Sequence, residues 1–189
     1  VRDGNVASCA PGSQPRICGL DLSLTSTGIA RIGEEAELWR ITPKRATGCD
    51  RLNQILREIT SRTDGAGLVV IEGPSYGSTG GKEHERGGLW WLVRYHLWQA
   101  SQNVAVVPPA VLKKYATGYG NAGKDTVLAA VIRRYPDVMV DGNDVADALV
   151  LAAMGADHLG YPLAVVPQIQ RAALTKVDWP PFADLRSPP

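Results

Sequence analysis

Three short apolar runs, at about 16–22, 27–33 and 36–42, follow one another with only the turns TSTG and GEE between them. So tight a succession leaves room for little except a meander of antiparallel strands. Beyond it the pattern alternates. In DRLNQILREIT, Leu52, Ile55, Leu56 and Ile59 recur at i, i+3, i+4 and i+7, which predicts an amphipathic helix. GLVVIEGP predicts a strand buried on both faces and ended by Gly73-Pro74. GKEHERGG is expected to be a polar loop, and LWWLVRYHLWQAS a helix that is apolar almost all round. NVAVVPP predicts another strand, and PAVLKKYATG a short helix with Pro109 near its first position. Two more helices are expected, GKDTVLAAVIRRY before Pro136 and DGNDVADALVLAAMGADHLG closed by Gly160. The order β-β-β-α-β-α-β-α-α-α predicts an α/β fold: a mixed five-stranded sheet, three strands in the meander and two parallel to the first, with helices on both faces. The 189 residues fit one domain, expected over 16–160. A Gly/Ser/Pro-rich, mobile segment is expected at 1–15, and an irregular, Pro-rich C-terminal tail at 161–189.

Several function classes fall away on composition. The net charge is +1, so any polyanionic partner must be met by local clusters: Lys113 and Lys114 with Lys124, Arg133 with Arg134, or Lys44 with Arg45. Cys9, Cys18 and Cys49 are odd in number and lack a C-x-x-C spacing, which argues against a disulfide framework and a structural zinc site. His84, His96 and His158 are scattered. With no long apolar run and no charged-then-apolar leader, a soluble, cytoplasmic protein without membrane contact is expected. GYGNAGKD nearly spells a phosphate-binding loop, but Asp125 stands where a hydroxyl is needed and the segment follows a helix, so no nucleotide cofactor is expected.

Four acids stand where acids are costly. Asp21 interrupts the apolar first strand, Glu72 ends LVVIE, and Asp144 and Asp147 share one face near the start of the last helix. Each has a structural alternative: a turn cap for Asp21, a solvent-facing strand end for Glu72, a capping box for the Asp144/Asp147 pair. Together they favour another reading. The first and fourth strands would be neighbours, with both acids at their carboxyl ends, where open α/β sheets place their sites. Four carboxylates at one spot repel unless divalent cations neutralise them. With no His or Cys nearby, the expected ion is Mg2+, with Mn2+ as a substitute. Asp21 is then tolerated as a ligand bridging two ions, an arrangement suited to phosphodiester hydrolysis.

GLDLSLTSTGIA, VVIEGPSYG, VLKKYATGYGNAGK and NDVADALVLAA stand in the order and spacing of the RuvC-like Holliday junction resolvases, of the RNase H-like superfamily. The chain resembles that family over roughly residues 16–158. The resemblance implies a crossover junction endodeoxyribonuclease, with Asp21, Glu72, Asp144 and Asp147 as metal ligands and Lys113 and Lys124 beside the phosphate. Leu-Ser-Leu-Thr stands where bacterial resolvases usually have Pro-Gly-Ser, and the extensions at both ends have no family counterpart, so the chain looks more like phage-encoded relatives. Expected DNA contacts are Lys82, Lys113, Lys114 and Lys124, with Tyr76 stacking on an unpaired base. The partner implied is a four-way junction; a less selective branched-DNA or flap nuclease, or a non-catalytic DNA-binding module, are the alternatives. A homodimer is expected, since paired nicks on a two-fold junction call for two sites. Its candidate interface is the helix carrying Leu89, Trp90, Trp91, Leu92, Val93, Leu97 and Trp98, unless Trp179 and Phe182 of the tail cover that helix.

Overall fold

The computed structural model describes residues 14–74 and 83–181. Strands β1 (Ile17–Asp21), β2 (Thr27–Ile32), β3 (Ala36–Ile41), β4 (Leu68–Glu72) and β5 (Val104–Val107) form one sheet in the order β3-β2-β1-β4-β5. The meander β1-β2-β3 is antiparallel, and β4 and β5 run parallel to β1. This is the mixed RNase H-like sheet, with helices on both faces. Helices α1 (Gly48–Thr63) and α2 (Glu83–Gln99) bring Ile55, Ile59, Leu89, Val93 and Leu97 against Cys18, Leu20, Val69 and Ile71 on one face. Helices α3 (Pro109–Thr117), α4 (Lys124–Arg134) and α5 (Asn143–His158) cover the other, against Ile17, Ala30, Leu68 and Val70.

Helix α5 is the central helix of the fold, buried at nearly every position from Val145 to Asp157. Two glycines let it lie almost on the backbone of the sheet. A Cβ on Gly19 would stand 2.1 Å from the Ala148 carbonyl oxygen, and one on Gly28 2.0 Å from that of Asp144. Either side chain would push the helix away.

Two expectations are corrected. Residues 83–88, expected as loop, form the first turns of α2. Glu83 and Glu85 there favour the helix amino terminus, and Gly87 and Gly88 sit in open space with no packing that would resist helix. The stretch 161–181, expected as irregular, forms a short helix α6 (Gln168–Arg171), a 3-10 turn (Ala172–Lys176) and a bridge from Asp178 to Val106. Polar anchors hold it. Arg171 pairs with the buried Asp157 at 2.8 Å, Arg134 donates to Gln170, and Trp179 stacks on His158 at 4.3 Å. Lacking periodicity, such a segment is ordered by partners elsewhere in the chain. No helix among the described residues is long and apolar enough to cross a membrane.

Candidate active site

Strand register builds the site. Asp21 ends β1, opposite Gly28 of β2, which is opposite Arg40 of β3. On the other side Leu20 pairs with Ile71, so Glu72 lies beside Asp21 at the carboxyl end of β4. Asp21, Gly19 and Gly28 share the face covered by α5. The close approach at Gly28 sets the start of α5, with Asp144 in its first turn and Asp147 in the next, over the end of β1. Three elements thus deliver four acids to one end of the sheet.

Of the structural alternatives for these acids, the capping box is not formed. The turn after β1 is closed by its own hydroxyls: the Ser23 amide donates to Thr27 Oγ1 at 3.1 Å, Thr27 Oγ1 donates back to the Ser23 carbonyl at 2.7 Å, and the Ser26 amide donates to Ser23 Oγ at 3.3 Å. Helix α5 starts after Gly142 with no side-chain cap, so Asp144 and Asp147 lie inside the helix and form no capping box. Glu72 is half-buried, and its carbonyl accepts the Trp90 indole N–H at 3.0 Å, tying α2 to the end of β4.

The electrostatics record crowding. Burial pushes Asp21 up to about 9, and Glu72, Asp147 and Asp144 push the same way. Its carboxyl shares a hydrogen bond with Glu72, itself raised by burial but drawn back by that bond and by Lys113 and Lys124. Asp147 is raised to about 7, first by burial and then by Glu72, with Lys124 and Lys113 opposing. Half-buried Lys113 on α3 and exposed Lys124 at the start of α4 therefore both bear on the acids. At Gly120 the α3–α4 loop folds back so closely along α3 that a Cβ there would stand 3.1 Å from the Ala110 carbonyl oxygen. Lys114 is exposed. Tyr76 and Lys82 lie outside the described residues.

Asp144 has partners that sequence reasoning missed. Ser26 Oγ donates to Asp144 Oδ2, and Arg40 Nε lies 3.8 Å from the same oxygen while its Nη2 meets Asp141 Oδ1 at 3.0 Å. The signal for Arg40 was its strand position: counting register from Asp21 through Gly28 leads to it. Among the described residues, no three His, Cys, Asp or Glu side chains form a group already arranged to hold a metal ion. Asp21 and Glu72 lie side by side at the ends of β1 and β4, and Ser26 and Arg40 hold Asp144. The donor set itself, all carboxylate oxygens crowded enough to raise Asp21, Glu72 and Asp147, fits a hard divalent cation.

Over 67 residues, 35% of this chain and 40% of the relative, the sequence is 41% identical to the crossover junction endodeoxyribonuclease RuvC of Zymomonas mobilis. The chain thus matches about two fifths of that relative's length. RuvC from Thermus thermophilus superposes with a TM-score of 0.62 at 18% identity, covering 80% of this chain and 99% of that one. The fold is that of RuvC, an RNase H-like fold. Thermus thermophilus RuvC in complex with Holliday junction substrate gives a TM-score of 0.61, covering 82% of this chain and all (100%) of that one, again at 18% identity. No family model matches the chain.

Proposed function

We propose that this chain is a divalent-cation-dependent, structure-selective endodeoxyribonuclease that resolves four-way DNA junctions by paired phosphodiester hydrolysis. The observation that carries the reading is the convergence of four carboxylates from β1, β4 and α5 at one end of the sheet, with Lys113 and Lys124 bearing on them. A module that only bound DNA would gain nothing from four acids that repel phosphate. The sequence relative is a crossover junction endodeoxyribonuclease, and one structural neighbour was solved with a Holliday junction.

Asp21, Glu72, Asp144 and Asp147 would hold two Mg2+ ions, with Mn2+ as a substitute. Bound there, the ions supply positive charge that activates the attacking water and stabilises the leaving 3′ oxygen. The chain's own residues do the rest. Side by side at the ends of β1 and β4, Asp21 and Glu72 would take the cations in their ionised form, and Ser26 and Arg40 would orient the Asp144 carboxylate. Lys113 and Lys124 offset the charge that develops on the phosphate. Lys114 adds a backbone contact from the exposed side of α3, Tyr76 a base stack and Lys82 a further cation. The unit that carries these groups is residues 16–160. A second copy supplies the opposed nick, docking through the outer face of α2. The work belongs in the cytoplasm of a bacterial or phage-infected cell, where such DNA is found.

The test is to incubate the full chain and Mg2+ with four-way, flap and linear DNA and to map the nicks. Symmetric paired cuts on the junction are expected, and cleavage should be lost while binding persists in Asp21→Asn and Glu72→Gln. Equal cutting of flaps would move the assignment to a general branched-DNA nuclease. Wild-type cleavage by Glu72→Gln would overturn the metal site.

A further inference from the structure

Resting on the nuclease reading, we infer that Lys44 and Arg45 form a second phosphate-contact arm, on the side of the acids opposite Lys113 and Lys124. The register fixes the direction. Strand β3 runs towards the edge that carries the acids, since Arg40 lies in one row with Gly28 and Asp21, and Ile41 lies opposite Thr27. The chain leaving β3 therefore enters residues 42–47 at the same end of the sheet as the four carboxylates.

That loop is held rather than loose. The Lys44 amide donates to the Thr42 carbonyl at 2.8 Å, and Arg45 takes the left-handed conformation, with φ 63°. Arg51 of α1 fastens the loop from below: its Nε donates to the Ala46 carbonyl at 2.9 Å, and its Nη1 lies 3.7 Å from Glu85 of α2. The side chains of Lys44 and Arg45 are exposed, and among the described residues neither has an ion-pair partner. The other cations on the meander are engaged, Arg31 by Glu37 and Arg40 by Asp141 and Asp144. Among the described residues, Lys44 and Arg45 are thus uncommitted positive charges on this flank.

A chain of net charge +1 has no general attraction for DNA, and the four acids at the centre repel it. Cations on the β5 flank alone would hold the backbone from one side. Five strands at about 4.8 Å spacing put the β3 flank about 19 Å from β5, or roughly five to six base steps at 3.4 Å each. A backbone crossing the acids can then be held on both sides of the bond to be cut. The ligand recognised is the sugar–phosphate backbone, independent of base sequence.

The experiment measures binding of the full chain to a four-way junction and to a linear duplex in EDTA over a range of salt. The double variant Lys44→Ala/Arg45→Ala should bind more weakly on every base sequence. Its plot of log affinity against log salt should be shallower by about 2, about 1 for each lost phosphate contact. An unchanged slope overturns the arm while leaving the nuclease reading intact. Failure of the wild-type chain to bind any DNA overturns both.

Discussion

Asp21 carries a charge cost that should be visible without any assay of cleavage. An unfolded aspartate titrates near 3.9, whereas the folded carboxyl is raised to about 9 by burial and its acidic neighbours. The folded state therefore binds more protons across that interval. The stability this lends is complete below pH 4 and is lost as pH rises towards 9. Metal-free protein should show a falling Tm from pH 5 to pH 9, Asp21→Asn should flatten the fall, and saturating Mg2+ should do the same for wild type. Parallel Tm–pH curves for wild type and variant would count against it. Ser26 makes a different prediction. Its hydroxyl aims Asp144 without being an expected ligand, so Ser26→Ala should weaken cation affinity by about 10- to 100-fold. A Mg2+ titration of cleavage should shift by that factor and recover the wild-type plateau. A lowered plateau at unchanged Mg2+ affinity would mean that Ser26 acts on the DNA instead.

At the scale of elements, the pairing of α5 with β1 and β2 decides whether the acids meet. Gly19→Ala would force a methyl into the Ala148 carbonyl, and overpacking of this kind costs about 1–3 kcal/mol. Urea melts should show that loss, and cleavage should fall further than the folded fraction, because the displaced helix takes Asp144 and Asp147 with it. A variant destabilised but fully active per folded molecule would show that the contact serves the fold alone. The same pairing explains what could be read in advance. The meander, the parallel strands and the four acids were legible because periodicity and out-of-place charge are local signals. Gly19 and Gly28 gain their meaning only once Asp21 is known to pair with Gly28. Ser26 and Arg40 are 118 and 104 residues from Asp144 in one sense and adjacent to it in another, since only strand register and the seating of α5 unite them. The first turns of α2 were missed because Gly87 and Gly88 outweighed the helix-favouring Glu83 and Glu85, and the packing of 161–181 because it rests on tertiary anchors, the Arg171–Asp157 pair among them.

For the molecule as a whole, α2 poses the remaining question, because it is apolar on two faces. Leu89, Val93 and Leu97 are buried against the sheet. On the outside, Trp91, Tyr95 and Trp98 are 68%, 55% and 71% exposed, spaced at i, i+4 and i+7, with Tyr95 and Trp98 stacked at 5.8 Å. The described part of the C-terminal tail does not reach them, since Trp179 is committed to His158 on α5; Phe182 lies outside the described residues. Three clustered aromatics facing solvent are costly for a monomer, whereas a stable interface needs about 800 Å2 from each partner, which a helix face of this kind can seed. A two-fold dimer through α2 would also be wired to the chemistry, because Trp90 on the same helix holds the Glu72 carbonyl. Sedimentation at micromolar concentration should therefore give a dimer, and Trp91→Glu/Trp98→Glu a folded monomer. On a four-way junction the monomer should release singly nicked intermediates where the dimer makes paired cuts. A wild-type chain that sediments as a monomer and still cuts both strands symmetrically would sink the dimer, leaving the aromatic face to a partner of another kind.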